Sequence, residues 1–208
     1  KLNFDFGYLF GAFIGDGWVN HANETGFIKN PNDIMISTVH DSIANKITEV
    51  MKKYGYDGNM YTHSEIHDFD NGRYEHAKRT WTFKPVANLI RKHIGHLAIN
   101  KHLPAFWCYT AIGFRWGLLS GLIDTDGTVC ITALGKRRIA YSTTSQTLAY
   151  EIAALISSLG MTPSVSVVSR KHGTVEYTVS ITIGTAKLAV GNMKLYNEKK
   201  AGILKDLF

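Results

Sequence analysis

Cysteine is scarce in this chain. Cys108 and Cys130 stand alone and fit no metal-ligand spacing, which argues against both a disulfide scaffold and a zinc knuckle and suits a reducing, intracellular compartment. No apolar run approaches the roughly 18 residues that a membrane-spanning helix needs, so no membrane partner is expected. The opening residues, Lys1-Leu2-Asn3-Phe4-Asp5, carry an acid where a targeting segment would be basic and apolar, and no such segment is expected. Charged residues make up only 19% of the 208, against 45% hydrophobic, which excludes wholesale disorder and allows one generous domain or two small fused ones. Acid is the scarcer charge: 23 Lys+Arg against 17 Asp+Glu leave a net +6. The excess sits late in the chain, since residues 1–104 hold 12 basic against 11 acidic and residues 105–208 hold 11 against 6. Such a balance suits a polyanionic partner.

What is present is a repeat. A shift of 110 residues superposes Gly7, Leu9, Gly11, Asp16 and Gly17 on Gly117, Leu119, Gly121, Asp126 and Gly127. A shift of 105 then superposes Ser37-Thr38 on Ser142-Thr143 and Gly55 on Gly160, so one connection is five residues shorter in the second copy. Two half-domains follow, 1–106 and 107–208. In the first, Phe4–Ile14 is apolar nearly all round, as a helix buried on several sides would be. Strand-like stretches come next at Trp18–Lys29 (interrupted) and Asp33–Thr38. A helix with apolar Ile43, Ile47, Val50, Met51 and Tyr54 stops at Gly55, and Leu148, Ile152, Leu155, Ile156 and Leu159 repeat it before Gly160. Period-two stretches then pair as Asn59–His67 with Tyr74–Phe83 and Ser164–Ser169 with Val175–Ile183. Short helices near Val86–His93 and Ala186–Leu195 close the halves. The fold class is α+β: two pseudo-symmetric α-β-β-α-β-β-α halves with antiparallel sheets.

Helices on one face of such sheets leave the other face open. Candidates for it are Asn20, Lys29, Ser37, His63, Glu65, His76, Lys78 and Thr80 in one half, and Arg138, Ser142, Ser166, Arg170, Glu176 and Thr178 in the other. Lys136, Arg137 and Arg138 form a basic tip between two strands. A polar face with interspersed Lys and Arg suits base-edge and phosphate contacts in a major groove, where a β-ribbon fits.

Gly7 and Gly11 are four residues apart, as are Gly117 and Gly121, so each pair lies on one helical face. Glycine inside a helix costs about 1 kcal/mol relative to alanine, and close backbone approach between two helices explains the cost. Asp16 and Asp126 would then sit at equivalent helix ends beside a pseudo-two-fold axis. Two carboxylates forced together repel and raise a pKa, and a divalent cation held by oxygen ligands would neutralise them.

The second segment, Leu119-Ser-Gly-Leu-Ile-Asp-Thr-Asp-Gly127, resembles the name motif of the LAGLIDADG homing endonucleases at seven of nine positions, in their single-chain, two-motif form. The first is looser: it keeps Leu9, Gly11, Asp16 and Gly17 but carries Ile14 where the earlier motif acid stands. Asp124 fills that place in copy two and is expected to be structural. Asn100-Lys101-His102-Leu103-Pro104 and Leu155–Gly160 resemble further blocks of intein-encoded members. The resemblance implies a monomeric, site-specific endonuclease that cuts both strands of double-stranded DNA laid over a saddle of sheets. Asp16 and Asp126, with Gly15 and Thr125 beside them, would hold Mg²⁺, which Mn²⁺ or a non-catalytic Ca²⁺ could replace. Lys101 and its counterpart in Asn197–Ala201, aligned as Lys199 with Lys200 second, would serve the two sites. A non-cleaving RNA maturase or DNA-binding regulator on the same fold is the alternative.

Overall fold

The computed structural model describes residues 2–69, 72–132, 135–170 and 173–207, the side chains of 67–69 and 72–76 excepted. Helix α1 (Phe4–Asp16) begins where the Asn3 side chain accepts a hydrogen bond from the Phe6 N–H at 3.1 Å. Strands β1 (Gly17–Val19) and β2 (Asp33–Ser37) follow, then α2 (Asp41–Lys52), β3 (Tyr61–Phe69), β4 (Gly72–Thr82) and α3 (Lys84–His93). Two single-turn 3₁₀ helices, Ala98–Asn100 and Trp107–Tyr109, lead into the second half. There α4 (Ile112–Thr125), β5 (Gly127–Ile131), β6 (Arg137–Thr143), α5 (Gln146–Ser158), β7 (Pro163–Ser169), β8 (Val175–Ile181) and α6 (Lys187–Asn192) repeat the order, and α7 (Glu198–Lys205) is added. Both halves therefore have the expected α-β-β-α-β-β-α succession. Among the described residues no helix is long and apolar enough to cross a membrane.

The two four-stranded sheets are antiparallel throughout, with matching orders β1-β2-β4-β3 and β5-β6-β8-β7. Register decides what each face carries. Ile34 pairs with Trp81, and both are fully buried; the Trp81 indole donates to the Thr48 hydroxyl of α2 at 2.9 Å. Ser37, Lys78 and His63 pair across three strands and point to the opposite side. In the second sheet Ile139, Tyr141 and Val179 bury one face, while Ser142, Thr178 and Ser166 line the other. Helices α2 and α5 end alike. Tyr56 N–H donates to Met51 O and Gly55 N–H to Lys52 O, as Met161 does to Ile156 and Gly160 to Ser157, and the two glycines hold φ of 92° and 81°.

One expected strand is shorter than its pattern suggested. Pairing stops at Val19, so Asn20 and Lys29 lie in a loop. Local turn chemistry prevails there: the Asn23 side chain accepts from the N–H groups of Thr25 and Phe27, and Gly26 holds φ of 78°.

The halves are joined through α1 and α4. A Cβ on Gly7 would collide with Phe114 O, and one on Gly117 with Phe4 O; likewise Gly11 faces Leu118 O and Gly121 faces Tyr8 O. The contact is reciprocal residue for residue, as a two-fold axis between the helices requires. Phe10 of α1, Phe106 of the connection and Phe114 of α4 pack as an aromatic trio beside it, with centroids 5.9 to 6.4 Å apart. Gly11→Val or Gly121→Val is expected to lower the unfolding free energy by about 3 kcal/mol, since rigid backbone is the obstacle. Gly113→Ala, in the first turn of α4 with open space around its α-carbon, is expected to leave it unchanged or raise it by up to about 1 kcal/mol. Urea unfolding of the three variants checks this contrast.

Candidate active site

Asp16 is the last residue of α1, and Asp126 caps α4. The helices stay in contact to their ends: a Cβ on Gly15 would collide with the Thr125 hydroxyl and lie against Asp126. The two acids therefore project from one junction. Burial first, and the neighbouring Asp126 charge second, push the Asp16 carboxyl up to about 6 from its ordinary 3.8. Asp126, more open to solvent, is also raised, by its loss of hydration, while Lys101 and Lys200 pull the other way.

Each helix end is closed by a lysine. Lys101 Nζ donates to Ile14 O and Gly15 O at 2.7 Å and to Gly17 O at 3.4 Å. Lys200 Nζ donates to the carbonyls of Ile123, Asp124 and Thr125 at 3.0, 2.9 and 2.8 Å. Three donations, to three helix-end carbonyls at α4 and to two helix-end carbonyls plus that of Gly17 at α1, require the ammonium form and place positive charge at the negative end of each helix dipole. Burial lowers both lysine pKa values, and the aspartates act against it.

Two cavities of about 230 Å³ flank the acids. One is lined by Asp16, Lys200, Thr125, Ser37, Thr38 and His40. The other is lined by Asp126, Lys101, Gly15, Ser142, Thr143 and Glu176. Each cavity thus joins the acid of one half to the lysine that closes the other half's helix. A profile of the LAGLIDADG-like domain matches residues 3–93 and 114–190, covering both halves. The chain belongs to the LAGLIDADG-like family.

The ATP-dependent DNA helicase Hel308 of Thermococcus kodakarensis is 30% identical over an alignment of 210 positions that covers 99% of this chain but 16% of the helicase. Replicative DNA helicase DnaB of Mycobacterium intracellulare is 35% identical over 106 residues, 49% of this chain and 18% of that protein. The chain therefore spans less than a fifth of the curated relatives it matches. The LAGLIDADG fold is shared with the homing endonuclease I-DmoI in complex with DNA and Mn (TM-score 0.61, 12% identity, 93% of this chain and 97% of that one). It is shared with I-WcaI bound to its DNA recognition sequence (0.64, 12%, 97% and 85%) and with full-length DUF199/WhiA from Thermatoga maritima (0.56, 11%, 99% and 61%).

Position by position, the structure brings Asp16, Asp126, Gly15, Thr125 and Lys101 to one place. It corrects the register of the second lysine. Lys200 reaches the α4 end, and Lys199, exposed, lines a separate surface with Glu198 and His40. The signal was helical: Lys200 and Leu204, four residues apart, lie on one face of α7, and Leu204 is buried, as is Leu207 just past the helix end. The serine–threonine pairs at 37–38 and 142–143 enter the cavities and were visible as a repeat. Lys78, His63 and Glu65 share the open face of the first sheet, and Arg138, Ser166 and Glu176 that of the second. Asn20 turns inward, donating to Lys29 O at 2.7 Å, and exposed Lys29 follows it in the loop. Arg137 pairs with Ile131, on the face opposite Arg138, and Lys136 lies at the start of that strand, exposed. Arg170 binds the Glu176 carboxylate through two contacts of 2.9 and 2.8 Å. The His76 side chain lies outside the described residues.

Because folded Asp16 keeps its proton to about pH 6 while an unfolded aspartate releases it near 4, the folded state binds more protons in that window. The metal-free protein is therefore expected to lose on the order of 3 kcal/mol of stability as pH rises from about 4 to about 7. Asp16→Asn removes this group's share of the slope and leaves the part due to other raised carboxyls, Asp126 among them, as melting curves in a chelator across that range would reveal.

Proposed function

We propose that this chain is a monomeric endonuclease that hydrolyses both strands of a DNA duplex laid over the open faces of its two sheets, one strand in each cavity. The observation that carries the reading is the matched pair of cavities, each with one of the two helix-end aspartates and one ammonium group beside the two-fold axis. The side chains at the junction that can ligate a cation are the two carboxylates of Asp16 and Asp126, the Gly15 and Thr125 carbonyls beside them being taken by the two lysines. That chemistry fits a hard divalent cation, Mg²⁺ foremost, completed by waters and phosphate oxygens. Asp16 and Asp126 would hold it, and when bound it would neutralise phosphate charge and ease the deprotonation of an attacking water.

The remaining chemistry belongs to the chain's own residues. Lys101 and Lys200 set fixed positive charge where a pentavalent phosphate gains negative charge. The cavity hydroxyls of Ser37 and Thr38, and of Ser142 and Thr143, orient water. The bond broken is that between phosphorus and the 3′ oxygen. Matches confined to a small part of two helicases support an origin as a segment inserted within a host protein.

Plasmids bearing candidate insertion sites test the reading. Cleavage with Mg²⁺ is expected for the unaltered protein, and Asp16→Asn and Asp126→Asn are each expected to lose double-strand cleavage by about 100-fold or more while still binding DNA. Mg²⁺ is also expected to raise the melting temperature of the unaltered protein and not that of Asp16→Asn. Tight binding to DNA or intron RNA with no cleavage by the unaltered protein would favour the non-cleaving alternative.

A further inference from the structure

The two lysines are held in place by different means. At α4 the device is Asp124, which is fully buried. Its Oδ2 accepts from the Tyr8 hydroxyl at 2.6 Å and from the Tyr196 N–H at 2.7 Å, and its Oδ1 accepts from the Asn197 N–H at 2.8 Å. Asn197 in turn caps α7, its side chain accepting from the Lys200 N–H at 3.1 Å. The Lys200 ammonium then returns to the carbonyls of Ile123, Asp124 and Thr125. The contacts form a closed ring: the carboxylate fixes the start of the helix whose lysine closes the carboxylate's own helix.

Copy one has no such ring, because Ile14 occupies the position equivalent to Asp124 and offers no acceptor. There the restraint comes from across the molecule. Glu151 of α5 accepts from the Leu103 N–H at 2.6 Å, and the Ser145 hydroxyl, which also caps α5, donates to Lys101 O at 2.7 Å. The segment that carries Lys101 is thus tied down by the second half at the lysine's own carbonyl and again two residues beyond it.

Resting on the endonuclease reading, we propose that Asp124 and Glu151 are positioning residues, each for one strand: Asp124 sets Lys200 in the Asp16 cavity, and Glu151 sets Lys101 in the Asp126 cavity. Glu151 lines neither cavity, and the Asp124 carboxylate is taken up by Tyr8, Tyr196 and Asn197. A displacement of about 1 Å in a charge-stabilising group costs up to about 100-fold in rate, so each loss falls on one strand.

The experiment has two arms. In the first, a duplex with a different label on each strand is cut by unaltered protein, by Asp124→Asn and by Glu151→Ala. Each variant is expected to slow one strand at least tenfold and the other less than twofold, so that nicked duplex accumulates, with opposite strands nicked by the two variants. In the second, metal and DNA are left out and the lysines are acylated in pulses and read by peptide mass spectrometry. Lys200 is expected to become more reactive in Asp124→Asn alone, and Lys101 in Glu151→Ala alone. Tyr8→Phe, which removes one of the three donors, replaces Asp124→Asn if that variant fails to melt cooperatively. Equal slowing of both strands, or unchanged lysine reactivity in a folded variant, overturns the proposal. If the unaltered protein cuts no DNA, the endonuclease reading fails, while the acylation arm still decides whether these carboxylates place the lysines.

Discussion

Contact between two bare stretches of backbone is the constraint from which the rest of this molecule follows. With Gly7 and Gly11 set against Phe114 and Leu118, and Gly117 and Gly121 against Phe4 and Tyr8, α1 and α4 approach closer than any side chain would permit. Rigid main-chain atoms give the contact one register. The helix ends cannot slide past each other, and the two acids have no other place to go. Both sheets inherit their relation from this pair, since each follows directly from the end of one of the helices.

An electrostatic conflict comes with that geometry. Negative helix ends, carbonyls without partners and two carboxylates all converge on one small volume. The chain answers with Lys101 and Lys200, whose ammonium groups satisfy the carbonyls and moderate the acids at the same time. Asp16 remains uncomfortable even so, holding its proton to about pH 6. An ionised pair here calls for a further cation, which is the physical link between the packing of the core and the proposed hydrolysis.

The parts legible in the sequence were those set by local chemistry and repeated twice. Paired glycines on one helical face have few explanations, and Gly55 and Gly160 end their helices through left-handed caps that only short-range rules govern. Less legible were features that depend on distant packing. The ten residues from Asn20 to Lys29 are expected from their sequence to continue an interrupted strand, yet Asn23 captures their backbone in a turn. Choosing between Lys199 and Lys200 needed the recognition of α7, which buries Leu204 four residues after Lys200. Asp124 could be set apart from the motif acids because Ile14 stands in its place, but its bonds to residues 72 and 73 positions downstream belong to the tertiary structure.

Because each cavity takes its acid from one half and its ammonium group from the segment closing the other helix, the duplication has gone past the point of independence. A half-chain expressed alone would carry an acid facing solvent in place of its complement. Recombination between related genes at the connection would therefore exchange part of both cavities at once. Viable hybrids are restricted to parents whose central helices and flanking lysines already interlock, a barrier to shuffling that a simple tandem of self-sufficient units would not impose.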